Sequence, residues 1–141
     1  MIYAVIDTNV IVAALRSRHE DSATVRVMNA VFDGKVVPLY TSEILSEYRD
    51  VLYRPRLKLD QAKCDFAISY MMDAGRPLSP VPCDFDFPDG NDRIFYEVTL
   101  AGQEVGATLV TGNLRHYPRI DFVLTPAEFC ELLDENVFDS M

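Results

Sequence analysis

The stretch Ile2-Tyr3-Ala4-Val5-Ile6-Asp7-Thr8-Asn9 decides how this chain is built. Five apolar residues in a row, without polar alternation, mark a strand covered on both faces, which is the pattern of a parallel sheet lying between helices. Asp7 closes the run, so the strand delivers a carboxylate to its own carboxyl end. Such an acid needs partners, because an unpaired carboxylate beside apolar packing is costly.

Working outward, strands and helices alternate. Val10, Ile11, Ala14 and Leu15 recur at helical spacing, and a second helix over 23–32 is stopped by Asp33-Gly34. Residues 36–40 read as a strand, with Pro38 marking an edge or an irregular start. Thr41 or Ser42 caps a helix that runs to about residue 53 and stops before Pro55. Residues 60–74 form another helix, ended by Gly75. The segment 76–91, with Pro77, Pro80, Pro82, Pro88 and Gly90, is a loop with at most a short extended piece near 81–85. A helix over 92–105, a Gly106 stop, strands at 107–111 and 121–124, and a helix opened by Thr125-Pro126 and running through Leu133 complete the chain. The pattern predicts an α/β fold, a three-layer α/β/α sandwich with a mainly parallel central sheet, in one domain over residues 1–141.

Composition narrows the function classes. At 49% hydrophobic and 25% charged the chain matches a soluble globular domain, and no apolar run reaches the roughly 20 residues of a membrane span. The expected compartment is the cytoplasm, with no membrane partner. Cys64, Cys83 and Cys130 are widely spaced and accompanied only by His19 and His116, which argues against a zinc site or a disulfide framework. The net charge of −9 disfavours simple electrostatic capture of nucleic acid. Two features work the other way: carboxylates that recruit divalent cations reverse the local sign, and Arg16, Arg18, His19 and Arg26 form a basic patch.

In open α/β sheets ligands sit outside the carboxyl ends of the strands. That rule selects Asp7, the helix after Thr41-Ser42 that carries Glu43 and Glu47, and the strand end Thr111-Gly112-Asn113. At about 100° per residue, Glu47 lies at the edge of the stripe formed by Ile44, Leu45, Tyr48, Val51 and Leu52, whereas Glu43 points further toward water. Asp92 opens the next helix, where it reads either as an N-cap or as a site acid, and Asp89 reads as a turn residue. Carboxylates plus an amide, without a cysteine or histidine set, favour Mg2+ or Mn2+ and hence phosphoryl or phosphodiester chemistry. No phosphate-binding glycine loop and no Ser-His-Asp or Cys-His set competes.

Val5-Ile6-Asp7-Thr8-Asn9-Val10, Ser42-Glu43-Ile44-Leu45-Ser46-Glu47-Tyr48, Asp92-Arg93-Ile94-Phe95 and Val110-Thr111-Gly112-Asn113 resemble, in that order, the four motifs of the PIN-domain family. Thr125-Pro126-Ala127-Glu128-Phe129 resembles its last helix. The resemblance implies a metal-dependent endoribonuclease acting on single-stranded RNA, most often the toxin of a toxin-antitoxin pair, with a small antitoxin partner and commonly a homodimer. By position, Asp7, Glu47 and Asp92 match the family's metal-binding acids, Asn9 a supporting polar residue and Thr111 a hydroxyl near the site. The fourth position, usually aspartate, is Asn113, which lacks the charge to hold a second metal tightly. The expectation is one tight metal in the free protein, with another recruited by RNA phosphate. Arg115 and His116 are candidates for contact with substrate phosphate, and also read as a plain surface loop.

Two other classes fit parts of the pattern. A non-catalytic PIN-like domain that binds RNA or a protein partner is consistent with the acidic balance and Asn113. A receiver-like signalling module shares the acids at strand ends, yet Asn113-Leu114-Arg115 lacks the lysine it would use. A dehalogenase-type phosphatase would place a second aspartate where Asn9 stands.

Overall fold

Both faces of the first strand, β1 (Ile2–Ile6), are covered: Ala4, Val5 and Ile6 point alternately to opposite sides, and all three are fully buried. The computed structural model describes residues 1–139, with side chains through Asn136. From β1 the chain runs through α1 (Thr8–Arg16) and α2 (Ala23–Phe32) to β2 (Val36–Tyr40). It continues through α3 (Ser42–Leu52), α4 (Gln61–Ala74) and β3 (Arg76–Pro77) to α5 (Arg93–Ala101), β4 (Thr108–Val110), β5 (Val123–Leu124) and α6 (Pro126–Asp139).

All strand pairs are parallel, in the order β3-β2-β1-β4-β5. The chain moves outward from β1 to β2 and β3, then returns past β1 to β4. This reversal puts the switch point between β1 and β4, where open sheets place their ligands. The register pairs Ile6 with Val110, so Asp7 and Thr111 emerge side by side. Helix α2 packs on α1 and α6, and α3 packs on α4 and α5, giving the expected parallel sheet between helical layers.

Local chemistry explains the helix starts. Ser22 Oγ accepts from the Val25 N–H, Thr41 Oγ1 from the Ile44 N–H, and Asp60 Oδ1 from the Ala62 and Lys63 N–H groups. Each side chain occupies an N-cap and satisfies donors that the first helical turn leaves open.

Four expectations change. Pro38 lies in β2, which is one strand in from the edge; β3 pairs only with Leu39 and Tyr40, so the missing N–H falls just before that pairing begins. The extended piece expected at 81–85 is not a strand. It is pinned instead by the Val81 N–H on the Glu97 carbonyl and the Cys83 N–H on Glu97 Oε2, while the edge strand is Arg76–Pro77. The helix expected to reach residue 105 ends at Ala101 and gives way to a 3-10 turn, Gln103–Val105. At Gly102 an added Cβ would lie 2.7 Å from Ala107 Cβ and 2.9 Å from Leu39 Cδ1, so the chain turns there against β2. Finally, α6 runs past Leu133 to Asp139.

One buried polar contact ties the second layer to the site. Tyr48, fully buried on α3 and 6.1 Å from the Phe95 ring, donates its hydroxyl to the Ile6 carbonyl at 2.6 Å. Tyr48→Phe is expected to destabilise the fold by about 1–2 kcal/mol, because a buried acceptor loses its donor. Urea denaturation checks this as a lowered midpoint with an unchanged slope.

Candidate functional site

Asp7 is only 4% exposed at the end of β1. Its N–H donates to the Val110 carbonyl at 2.9 Å, which seats the residue on the seam between β1 and β4. Its Oδ2 accepts from Thr111 Oγ1 at 2.8 Å and from the Tyr117 hydroxyl at 2.9 Å. Thr111 Oγ1 also accepts the Asn113 N–H at 3.0 Å, holding the turn beyond β4. The Asn9 side chain hydrogen-bonds Asp7, and its Oδ1 accepts the Gly112 N–H at 2.9 Å. Asn9 and Thr111 thus sit where the family resemblance implies supporting groups.

Tyr117 was not selected from the sequence. It is 3% exposed, its ring meets Phe87 edge-on at 6.0 Å, and Arg93 lies over the opposite partner of that contact, with its guanidinium 4.9 Å from the Phe87 ring centre. The long proline-bearing loop therefore supports the hydroxyl that holds Asp7. No periodicity announces such a residue, since its position depends on how two loops fold together.

Asp92 ends the 3-10 turn Gly90–Asp92, ahead of α5. Asp92 does occupy the N-cap position of α5, but its side chain makes no cap hydrogen bond. Asp89 does the capping, its Oδ1 accepting the Asn91 N–H at 3.0 Å, as a turn residue should. Asp92 Oδ2 instead lies 3.0 Å from His116 Nδ1. Glu47 is half-buried and Glu43 exposed, as the helical geometry predicts. With Asp7, Thr8 and Asn9, Glu47 lines an open cleft of about 520 Å³.

Electrostatics couples the three acids. Burial is the largest cause holding the carboxyls of Asp7, Glu47 and Asp92 above their ordinary range. The charge of Asp7 pushes Glu47 and Asp92 up further; Arg54 opposes this at Glu47 and His116 at Asp92. Hydrogen bonds from Thr111 and Tyr117 pull Asp7 back only in part. Burial and the adjacent Asp7 hold the Tyr117 phenol far above its usual range, so it remains a donor.

Among the described residues, no three His, Cys, Asp or Glu side chains close into a ready-made metal-ligand cluster. The acids feel one another across the site without meeting at one point. Their chemistry fits a hard divalent cation: all three are oxygen donors, and the charge of Asp7 raises the other two. Thr8 Oγ1, buried beside Asp7 with no hydrogen-bond partner among the described residues, belongs to a residue that lines the same cleft.

Other expected residues are dispersed. Asn113 and Arg115 are exposed, and among the described residues the Asn113 side chain makes no hydrogen bond and Arg115 no ion pair. The basic patch divides: Arg16 lines the cleft, whereas Arg26 pairs with Asp134 at 3.0 Å. The three cysteines are free, and burial raises the thiols of Cys64 and Cys130.

A parallel α/β domain that brings carboxylates to the switch point of its sheet is the class this geometry defines. The family model of the PIN domain matches residues 3–115, and the chain belongs to the PIN-domain family. That match takes in Asp7, Glu47, Asp92 and Asn113, and it displaces the receiver-like alternative; Tyr117 lies beyond it. No curated protein matches the chain. No helix among the described residues is long and apolar enough to cross a membrane.

The raised carboxyl of Asp7 has a thermodynamic consequence. Its neutral form is favoured in the fold, so stability from this group is present near its unfolded value of 3.8 and is lost as pH rises through the higher folded value. Asp7→Asn keeps an oxygen to accept from Thr111 and Tyr117 but removes the charge. In chelator at pH 7 it is expected to raise Tm by a few degrees, the scale set by about 1 kcal/mol in a domain of this size. Thermal melts across pH should show the gain vanishing toward pH 3.8, where the native carboxyl is itself protonated.

Proposed function

We propose that this protein is a magnesium-dependent endoribonuclease that cuts single-stranded RNA, serving as the toxin of a type II toxin-antitoxin pair. The observation that carries the catalytic part is the buried Asp7 carboxylate, fixed by Thr111 and Tyr117 at the switch point and electrically coupled to Glu47 and Asp92. A carboxylate confined in that way is poised to hold a cation against a phosphodiester.

Asp7, Glu47 and Asp92 would hold Mg2+ or Mn2+. When bound, the metal supplies an activated water and a positive charge for the leaving oxygen. The chain's own groups supply position: the two hydroxyls set the Asp7 rotamer, His116 orients Asp92, and Asn9 braces the Gly112 turn. Asn113 stands at the rim as a neutral oxygen that RNA binding could draw in. The toxin assignment, the antitoxin partner, the homodimer and the cytoplasmic setting are supported by the family resemblance.

A second reading is a PIN domain that binds RNA or a protein partner without cutting. The open arrangement of the acids and the exposed Asn113 favour it. Cleavage of a labelled single-stranded RNA by purified protein separates the two. The nuclease reading predicts cutting with Mg2+ or Mn2+, abolished by chelation and reduced at least about 100-fold by Asp7→Asn or Asp92→Asn, as expected when a charge-stabilising group is removed. Undiminished cutting by Asp7→Asn protein would place the activity elsewhere, and RNA binding without cutting by the wild type would establish the second reading.

A further inference from the structure

The cleft beside Asp7 is lined by groups of opposite charge: Asp7 and Glu47 on one hand, Arg16, Arg54 and Arg56 on the other. Arg16 is exposed in the last turn of α1, and Arg56 is exposed in the 3-10 turn Pro55–Leu57, so two separate segments converge on one opening. Arg54 is held by Asp50 at 2.8 Å, whereas neither Arg16 nor Arg56 has an ion-pair partner among the described residues. The same cleft has apolar lining from half-buried Val12, Val51 and Leu57. In a chain with 22 acidic and 13 basic residues, two unpaired guanidinium groups on the opening that also holds the buried acid form a local reversal of charge.

The basic and apolar groups make complementary demands on a ligand. Guanidinium groups repel divalent cations and attract phosphate, to which they present a planar fork of donors. The apolar lining asks for a flat, weakly polar surface, and the volume of about 520 Å³ is that of a small-ligand site. One nucleotide unit meets both demands. We propose that this cleft holds a nucleotide subsite, in which Arg16 and Arg56 hold the phosphate next to the scissile one while sugar and base rest on Val12, Val51 and Leu57. The assignment rests on the reading of the cleft as an RNA site and adds the path of the strand, from the acids toward the end of α1 and the turn at Arg56. It also sorts the basic patch: Arg16 belongs to the path, and Arg26, engaged with Asp134, does not.

The test uses fluorescence anisotropy of a fluorescein-labelled single-stranded RNA 10-mer with Asp7→Asn protein in Mg2+, so that binding is read without cutting. Added to that background, Arg16→Gln and Arg56→Gln are each expected to raise Kd about fivefold or more, and to reduce the slope of log affinity against log salt by about 0.7, the value of one single-strand phosphate contact. Leu57→Ala should raise Kd with the slope unchanged. Lys35→Gln, just ahead of the amino end of β2, controls for net charge and should alter neither. Unchanged Kd and slope in both arginine variants would overturn the subsite. If wild-type protein cuts RNA and the arginines prove immaterial, the subsite alone fails. If it does not cut, and the arginine variants still weaken binding, the subsite stands and the nuclease reading fails.

Discussion

A carboxylate buried at the end of the central strand is the constraint around which this protein is arranged. Asp7 cannot turn to bulk water, because β1 lies inside the sheet and the residue is 4% exposed. Two neutral hydroxyls, from Thr111 and Tyr117, stabilise its charge without cancelling it. Meeting that need fixes much else. Strand β4 must register so that Thr111 emerges beside Asp7, Asn9 must brace Gly112, and the loop after β4 must fold back far enough to bring Tyr117 home. The seam that closes the sheet also builds the site.

Capping falls to other side chains. Thr41, Ser22, Asp60 and Asp89 satisfy the open N–H groups of helix and turn starts. That leaves Glu47 and Asp92 free of structural duty on the backbone, and the charge of Asp7 pushes both of their carboxyls up. An arrangement in which burial raises all three carboxyls, and the charge of Asp7 raises Glu47 and Asp92 further, is unfavourable for the metal-free protein. Such a cost is expected at a functional site, where stability is given up for chemistry.

Much of this was legible in the residues. The uninterrupted apolar run of β1 defined a doubly covered strand, and its terminal aspartate defined where the ligand side must lie. Helical periodicity separated Glu47 from Glu43 correctly, because exposure on an amphipathic helix follows angle. Propensity was less informative where tertiary contacts decide. The break at Gly102 depends on the approach of Ala107 and Leu39, and the strand at Arg76–Pro77 exists because β2 offers an edge there. Tyr117 was invisible for the same reason: only the folded loop reveals that its hydroxyl meets an acid 110 residues earlier in the chain. Asn113 was legible as a departure from the family pattern, and its exposed side chain leaves the fourth corner of the site open.

The central claim is that Asp7, Glu47 and Asp92 together hold a divalent cation. Isothermal titration of Mn2+ into metal-free protein tests it most directly. The account predicts one binding site per chain, lost in Asp7→Asn protein and retained in Glu43→Gln protein. No binding, two equally tight sites without RNA, or binding that survives Asp7→Asn would contradict it.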